Sequence, residues 1–397
     1  MRLFPTVLRI IWAAALFPCL GAYAQVQAPK PPTQANPASR RLPLSKFYET
    51  PDPLPAGKPG ALIRSEQAYE YHLSYQASTY RILYHSRSSQ GKDVAVSGVV
   101  LVPDGDPPAG GWPVIVWAHE SVGSARQCAP SLSKNLSEGP LLSMYASLGY
   151  AVVAPDYAGL GTNFPHAVFD VRSNARDLIY SIPAARVALS QLGKKWVVAG
   201  YSQGAIVAVG VAEAGEELND PNYLGAVGIA GVAQPKELFE QFARGTDPLM
   251  LVFLTQGIKT AFPEFKIEEI LAEKSIPLYR QFTHDCEARP APDVIPNQML
   301  NPGWESNAYV KMFWERTMLG RKPAHSPMLV ISGETDTTVP TTLSERVVSQ
   351  LCGQKDRVLF VKYAGLNASG VLGDSVSEQI SWIKARFSGV PAPSNCS

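Results

Sequence analysis

Apolar residues of this chain follow two kinds of pattern, short continuous runs and longer stretches with helical spacing. The short runs are rich in β-branched residues and predict strands, as expected for a sheet covered on both faces. They lie at residues 113–118, 150–154, 196–201, 224–231, 327–332 and 357–363. Helical spacing occurs between them, at residues 140–148, 172–192, 203–212, 342–351 and 376–387. Strands that alternate with helices predict an α/β fold with a mostly parallel central sheet and helices on both faces.

Two segments depart from this alternation. Residues 79–85 and 94–102 alternate apolar and polar positions on either side of Gly91, which predicts an antiparallel pair of strands. Residues 233–323 are helical in pattern, rich in aromatic residues and too long for a simple connection. They predict a helical cap inserted over the C-terminal edge of the sheet. The predicted domains are a core of residues 61–232 and 324–390, the cap at 233–323 and a C-terminal tail at 391–397.

The start of the chain has the pattern of an export signal. Arg2 and Arg9 precede an apolar run, and the small residues before position 25 fit cleavage after Ala24. The apolar run is too short and too interrupted by proline to cross a membrane. Residues 1–24 are therefore interpreted as a cleaved signal peptide of a periplasmic or extracellular protein, with no integral membrane segment in the mature chain. Residues 25–60, rich in proline and alanine, predict an extended leader.

Composition narrows the functions that remain open. The chain has 397 residues, of which 46% are hydrophobic, enough for a large buried core. Its formal net charge is only +1 and it has no basic tract, which argues against a nucleic-acid partner. The sequence contains no dinucleotide-binding glycine motif, no P-loop and no H-E-x-x-H motif, so we expect neither a cofactor nor a metal.

Four cysteines remain once the signal peptide is removed, Cys128, Cys286, Cys352 and Cys396. An even number in an exported protein favours disulfides, and four cysteines allow three pairings. We expect Cys128–Cys286 and Cys352–Cys396, the second of which would hold the C-terminal tail. The spacing contains no C-x-x-C pair, so a zinc site is not expected.

The strand at residues 196–201 leads into the turn Gly200-Tyr-Ser-Gln-Gly204, with Ser202 at its apex. In a G-x-S-x-G turn the serine backbone is strained, and larger neighbours would collide with the chain. The hydroxyl projects from the end of the sheet, over the positive end of the following helix. Because strand, turn and helix follow in this order, we interpret Ser202 as a nucleophile rather than as a plain turn residue.

Acyl transfer by a serine also needs a base, an acid that orients the base, and donors for the oxyanion. Asp336 follows the strand at residues 327–332, which predicts its side chain at the same sheet edge as Ser202. We interpret Asp336 as the acid. Glu334, two residues earlier, is its competitor.

Taken together and in order, these segments resemble the secretory lipase family of α/β-hydrolases, over about residues 47–387. The resemblance rests on residues 54–60, 62–66, 116–119, 156–161, 200–204 and 333–336. It implies the α/β-hydrolase fold with a helical cap, and a small-molecule or lipid ester as substrate. It also implies Ser202 as nucleophile and Asp336 as triad acid, with backbone N–H groups of Gln203 and of the loop at Glu120 as oxyanion donors. His119 in that loop is interpreted as structural.

The residue that should complete the triad is not a histidine. The family pattern after the last strand is Tyr-x-Gly-x-x-His, and counting from Tyr363 and Gly365 places Ala368 at the histidine position. No histidine follows His325. His166, in the loop after the strand at 150–154, is the best substitute base among the six histidines.

Two functions therefore remain open. The first is an exported serine ester hydrolase of the lipase or carboxylesterase type, which works through an acyl-enzyme. The second is a catalytically impaired relative that binds a hydrophobic or ester ligand. Retention of Ser202 and Asp336 favours the first as ancestry. Ala368 favours the second as present behaviour, because loss of a triad histidine costs about 10⁶-fold in kcat. Peptidases and haloperoxidases can share the same fold and motifs.

Overall fold

The computed structural model describes residues 40–245, 247–287, 289–290, 294–324 and 326–396. The predicted signal peptide and residues 25–39 of the predicted leader lie outside the described residues. The end of the leader segment packs on the core, because Phe47 and Tyr48 are buried and the Tyr48 hydroxyl lies 2.8 Å from Ser131 Oγ. Within the described residues, no helix is long and apolar enough to cross a membrane.

Nine strands form one sheet in the order β1-β2-β3-β5-β4-β6-β7-β8-β9. Their bounds are β1 Leu62–Ala68, β2 Ser78–Arg87, β3 Asp93–Val102, β4 Trp112–Ala118, β5 Ala151–Pro155, β6 Leu192–Tyr201, β7 Tyr223–Ile229, β8 Met328–Gly333 and β9 Val358–Tyr363. All pairings from β5 to β9 are parallel, and those among β1, β2, β3 and β5 are antiparallel. The predicted mostly parallel sheet is confirmed, and the predicted antiparallel pair is β2 and β3.

The helices of the described chain connect these strands, lie between β7 and β8, or follow β9. Their bounds are α1 Gly139–Ser147, α2 Val171–Ala188, α3 Gln203–Ala212, α4 Gly215–Leu218, α5 Pro235–Ala243, α6 Pro248–Ala261, α7 Ile276–Phe282, α8 Ala308–Thr317, α9 Thr341–Gly353, α10 Ala368–Asp374 and α11 Val376–Phe387. The segment from α5 to α8 contains no strand among its described residues, and it occupies the stretch predicted as a cap.

Alternate side chains of the central strands enter two different hydrophobic layers. In β4, Val114 and Val116 belong to the layer that contains α2 and α3, whereas Ile115 and Trp117 belong to the layer that contains α1 and α11. A strand buried on both faces has no polar side to present, which explains its continuous apolar sequence. The parallel arrangement brings the ends of β4, β6 and β8 to one edge of the sheet.

Both expected disulfides are present, Cys128–Cys286 and Cys352–Cys396. The second fixes the C-terminal tail along β9, the last strand of the sheet. There the Asn395 side chain accepts a hydrogen bond from the Phe360 N–H at 2.9 Å and donates to the Phe360 carbonyl oxygen at 2.8 Å. The tail thus satisfies part of the edge that an outermost strand would otherwise leave unpaired.

Candidate active site

Ser202 lies at the turn between β6 and α3. Its backbone has φ 54° and ψ −118°, a region that costs a non-glycine residue about 1–3 kcal/mol and persists only where the surroundings enforce it. The Ser202 N–H donates to the carbonyl oxygen of Ile229, the last residue of β7, at 3.0 Å. The strained turn predicted from the G-x-S-x-G pattern is therefore present.

Glycines surround this turn because backbone atoms leave no room for a side chain. A Cβ on Gly200 would overlap the carbonyl oxygen of Gly204, and one on Gly204 would overlap the carbonyl oxygen of Ala118 at the end of β4. A Cβ on Gly231, just after β7, would overlap the carbonyl oxygen of Ser202. Close backbone contact with two neighbouring strands thus holds the serine in its strained conformation.

Ser202 borders a cavity of about 420 Å³. One wall is formed by the turn and by the loop after β4. The facing wall is apolar and comes from the first helices of the segment between β7 and β8, through Leu238, Phe242, Leu249, Met250 and Phe253. A concave, largely apolar cavity with a few polar groups is typical of small-molecule sites. The Cys128–Cys286 disulfide also borders the cavity and links the loop after β4 to the chain after α7.

The backbone N–H of Gln203 is the first of α3 and forms no hydrogen bond within the described residues. It lies at the positive end of the helix dipole, which suits a developing negative oxygen. The Gln203 side chain is buried and accepts a hydrogen bond from Ser121 Oγ at 2.8 Å. Gln203 therefore offers a free backbone N–H at the start of α3, next to Ser202.

Glu120, in the loop after β4, borders the same cavity and is half-buried. Burial raises the pKa of its carboxyl, and the side chain forms no hydrogen bond or ion pair with the described residues. The backbone N–H of Glu120 faces the carboxyl of Glu138 and favours its ionised form. Of the two expected oxyanion donors, Gln203 thus has the free N–H, whereas the N–H of Glu120 is directed at Glu138.

Glu138 is a titratable residue near the site that no motif in the sequence indicates. It precedes α1, and its buried Oε2 accepts a hydrogen bond from Trp117 Nε1 at 3.4 Å. Burial first, and then the charge of Glu120, raise the pKa of Glu138 to about 8. The one sequence signal for Glu138 is its position just before a helix that begins Gly-Pro. Many exposed glutamates occupy the same kind of position, so this signal does not single it out.

His119 is structural, as interpreted from the sequence. Its ring is buried against Tyr157 at 4.3 Å, with Nδ1 2.6 Å from the Glu120 carbonyl oxygen and Nε2 3.0 Å from the Asp156 carbonyl oxygen. Burial lowers the pKa of His119 to about 4, so the ring is neutral near pH 7. It fixes the loop after β4 to the loop after β5.

Asp336 lies just after β8, and only 6% of its surface is exposed. Its Oδ1 accepts hydrogen bonds from the backbone N–H groups of Thr338 at 2.9 Å and Val339 at 3.0 Å. Its Oδ2 is buried and has no partner among the described residues. Desolvation raises the pKa of this carboxyl, and it outweighs the two backbone hydrogen bonds, which lower the pKa. One carboxylate oxygen is thus fixed, and the other lacks the donor that a triad histidine would supply.

Ala368 begins α10, close to Asp336 in the fold. The Leu366 carbonyl oxygen accepts the Thr335 N–H at 3.0 Å, so the chain just before Ala368 is bonded to the loop that carries Asp336. The Asn367 side chain caps α10 by accepting the Gly370 N–H at 3.0 Å. The chain that leads into α10 is therefore bonded to the loop that carries Asp336, and residue 368 has only a methyl side chain.

None of the described histidines borders the cavity. His166, the expected substitute base, is buried with Nδ1 3.0 Å from the Ala158 carbonyl oxygen, and its ring stacks on Tyr157. Burial and the neighbouring His119 lower the pKa of His166 to about 3. His72 and His284 are exposed, His85 contacts Asp93, and His325 lies outside the described residues. Among the described residues, no group of three or more His, Cys, Asp or Glu side chains could hold a metal.

Comparison with known proteins gives three concordant findings. A sequence model described as secretory lipase matches residues 136–395. Lipase 6 of Candida albicans is 25% identical over 442 residues, which cover 94% of this chain and 86% of that protein. The solved structure of Candida antarctica lipase A in its closed state superposes with a TM-score of 0.78 at 18% identity, covering 90% of this chain and 89% of the other.

A second solved structure is the rice cell wall degrading esterase LipA from Xanthomonas oryzae, in a ligand-bound form. It superposes with a TM-score of 0.67 at 18% identity and covers 83% of this chain and 98% of the other. At such identities these structures establish the α/β-hydrolase fold. Because the secretory lipase model covers more than half of the chain, this protein belongs to the secretory lipase family.

Proposed function

We propose that this protein is an exported serine ester hydrolase of low turnover, with Ser202 as nucleophile. The observation that carries the proposal is the strained Ser202 turn, which borders a largely apolar cavity and has the free N–H of Gln203 beside it. Membership of a secretory family and two disulfides support export. The apolar wall from α5 and α6 favours lipophilic carboxylic esters.

In the proposed reaction, Ser202 Oγ attacks the ester carbonyl carbon, the bond to the alcohol oxygen breaks, and the alcohol leaves with the hydroxyl proton so that an acyl-enzyme remains. The Gln203 N–H stabilises the oxyanion of the tetrahedral intermediate, where one such donor is worth about 10²- to 10³-fold in kcat. Asp336 is proposed as the triad acid, since its free Oδ2 is an acceptor of the kind that orients an imidazole. Water then releases the acid and regenerates Ser202.

The methyl side chain of Ala368 sets the expected rate. Without an imidazole, Ser202 keeps its proton at neutral pH, and both acylation and deacylation slow. The oxyanion donor and substrate binding alone leave a rate about 10³- to 10⁴-fold above that of the reaction in water.

A second candidate function follows from the methyl side chain of Ala368. A chain with an intact cavity and a disabled triad would serve as a binding protein for a hydrophobic or ester ligand.

Covalent labelling separates the two candidates. Prolonged incubation with an alkyl fluorophosphonate is expected to add one phosphonyl group to Ser202, slowly because no imidazole activates the hydroxyl. Intact mass spectrometry and peptide mapping would locate the adduct. Ser202→Ala should remove the adduct, and Ser147→Ala, a change at an exposed serine on α1, should keep it.

Reversible binding of a fluorescent fatty ester without any adduct on Ser202 would favour the binding protein. An adduct elsewhere in the chain that survives Ser202→Ala would contradict Ser202 as nucleophile.

A further inference from the structure

Glu120 and Ser202 border one cavity, and a carboxylate is chemically able to act as a base. The residues on either side of Glu120 contact the first turn of α3. Ser121 Oγ donates to Gln203 Oε1 at 2.8 Å, and a Cβ on Gly204 would lie 2.9 Å from the His119 carbonyl oxygen. Glu120 is thereby held next to the turn that carries Ser202.

The Glu120 carboxyl is not committed to a structural role. It forms no hydrogen bond or ion pair with the described residues, although it is half-buried. A half-buried carboxylate without a partner is costly, and such groups concentrate at functional sites. Asp336 differs in this respect, because two backbone N–H groups hold its Oδ1.

Several ionisable groups face Glu120 from the elements around it. Glu138, at the start of α1, and Tyr201, at the end of β6, both respond to its charge, and the pKa of Tyr201 is raised to about 12, by burial first and then by Glu120. His119, the preceding residue, is neutral near pH 7. Arg41 is the one cationic side chain among the described residues that line the cavity. Its guanidinium donates a hydrogen bond to the Gln127 carbonyl oxygen at 3.1 Å.

The position of Glu120 raises an electrostatic problem that a base role resolves. A carboxylate that stayed ionised beside the Gln203 N–H would repel the oxyanion of the tetrahedral intermediate. A carboxylate that accepts the Ser202 proton becomes neutral as the oxyanion forms. The repulsion then disappears at the step where it would matter.

We propose that Glu120 is the general base of this chain in place of the absent triad histidine, an inference that rests on the proposed function. As the bond from Ser202 Oγ to the ester carbon forms, the Oγ proton passes to Glu120 and the carbonyl electron pair moves to oxygen. The intermediate expels the alkoxide, which takes the proton from Glu120. In the second half, Glu120 accepts a proton from water and returns it to Ser202 Oγ when the acyl–oxygen bond breaks.

Glu120→Gln tests this proposal, because it keeps the backbone and the shape but cannot accept the proton. In the natural chain we expect the Ser202-dependent hydrolysis of p-nitrophenyl butyrate to fall by about 10²-fold, the lower range for a positioned base. In the Ala368→His background an imidazole is the base, so the same substitution should reduce the rate much less than it does in the natural chain. Circular dichroism confirms that both variants are folded.

A base and a mere negative charge at position 120 predict opposite changes in the hydrolysis rate of the natural chain when Glu120 is replaced by glutamine. If Glu120 only adds negative charge near the oxyanion, Glu120→Gln raises the rate in both backgrounds, and the proposal is overturned. The proposed function survives that outcome, because it depends on the adduct at Ser202 and not on Glu120.

The pH dependence of the natural chain gives a second test that needs no variant at position 120. We expect the Ser202-dependent rate to rise as the Glu120 carboxyl ionises, above the range of an ordinary glutamate, and then to level off. A rate that instead climbs steadily with hydroxide from pH 4 to pH 9 would overturn the proposal.

Discussion

Replacing Ala368 with histidine is expected to raise kcat/KM for p-nitrophenyl butyrate by about 10²- to 10⁴-fold, the contribution of a positioned general base. The acceptor for an imidazole N–H is already in place, because Asp336 Oδ2 is buried without a partner among the described residues. Two backbone N–H groups fix the other oxygen, so the carboxylate needs little rearrangement. Steady-state ester hydrolysis at pH 7 measures the gain.

Two further variants control this result. Ala368→Gln adds a polar side chain of similar size without a base, and it should give no gain. Adding Asp336→Asn to Ala368→His should remove most of the gain, because the imidazole then lacks the carboxylate that sets its tautomer. The Asn367 side chain caps α10 in every case, so the helix should persist. If Ala368→His is no faster than Ala368→Gln, the account of a triad that lacks only its base is wrong.

Gly204→Ala is expected to be the most destabilising glycine-to-alanine change among the described residues, with a loss of about 3 kcal/mol or more in the free energy of unfolding. The added Cβ would overlap the carbonyl oxygen of Ala118, a backbone atom of a central strand that cannot move aside alone. Overpacking of this kind typically costs about 1–3 kcal/mol and more where the backbone is rigid. Urea denaturation followed by intrinsic tryptophan fluorescence measures the change.

Gly353→Ala is the matched control, since Gly353 ends α9 and a Cβ there meets no atom within 4 Å. We expect it to be neutral or stabilising by up to about 1 kcal/mol, because alanine loses less backbone entropy than glycine on folding. Equal stabilities for the two alanine variants would mean that the close approach of β4 to the serine turn is not a constraint.

The sheet and the serine turn were predictable because local sequence determines them. Strands buried on both faces need continuous apolar runs, as in β4 and β8. The serine turn is marked in the sequence by glycine at 200 and 204, because a Cβ on Gly200 would overlap the carbonyl oxygen of Gly204 and one on Gly204 would overlap that of Ala118. The assignment of Ala368 to the position of a triad histidine comes from the family pattern counted from Tyr363, and it stays a prediction.

Other features depend on tertiary contacts that no local pattern encodes. β1 was not predicted, because its exposed residues 65–67 are polar and its pairing with β2 supplies its regularity. α10 has the sequence of a loop, with glycines at 370 and 373, and forms because Asn367 caps it. The burial of Glu138 and the free carboxyl of Glu120 follow from how α1 and the loop after β4 meet.

The crystal structure of the Ala368→His variant tests the central claim, that Ser202 and Asp336 are two members of a triad whose third position is 368. The account predicts that the introduced imidazole has Nε2 within about 3 Å of Ser202 Oγ and Nδ1 at a similar distance from Asp336 Oδ2. An imidazole that points into solvent, with Asp336 Oδ2 still unpartnered, would contradict it.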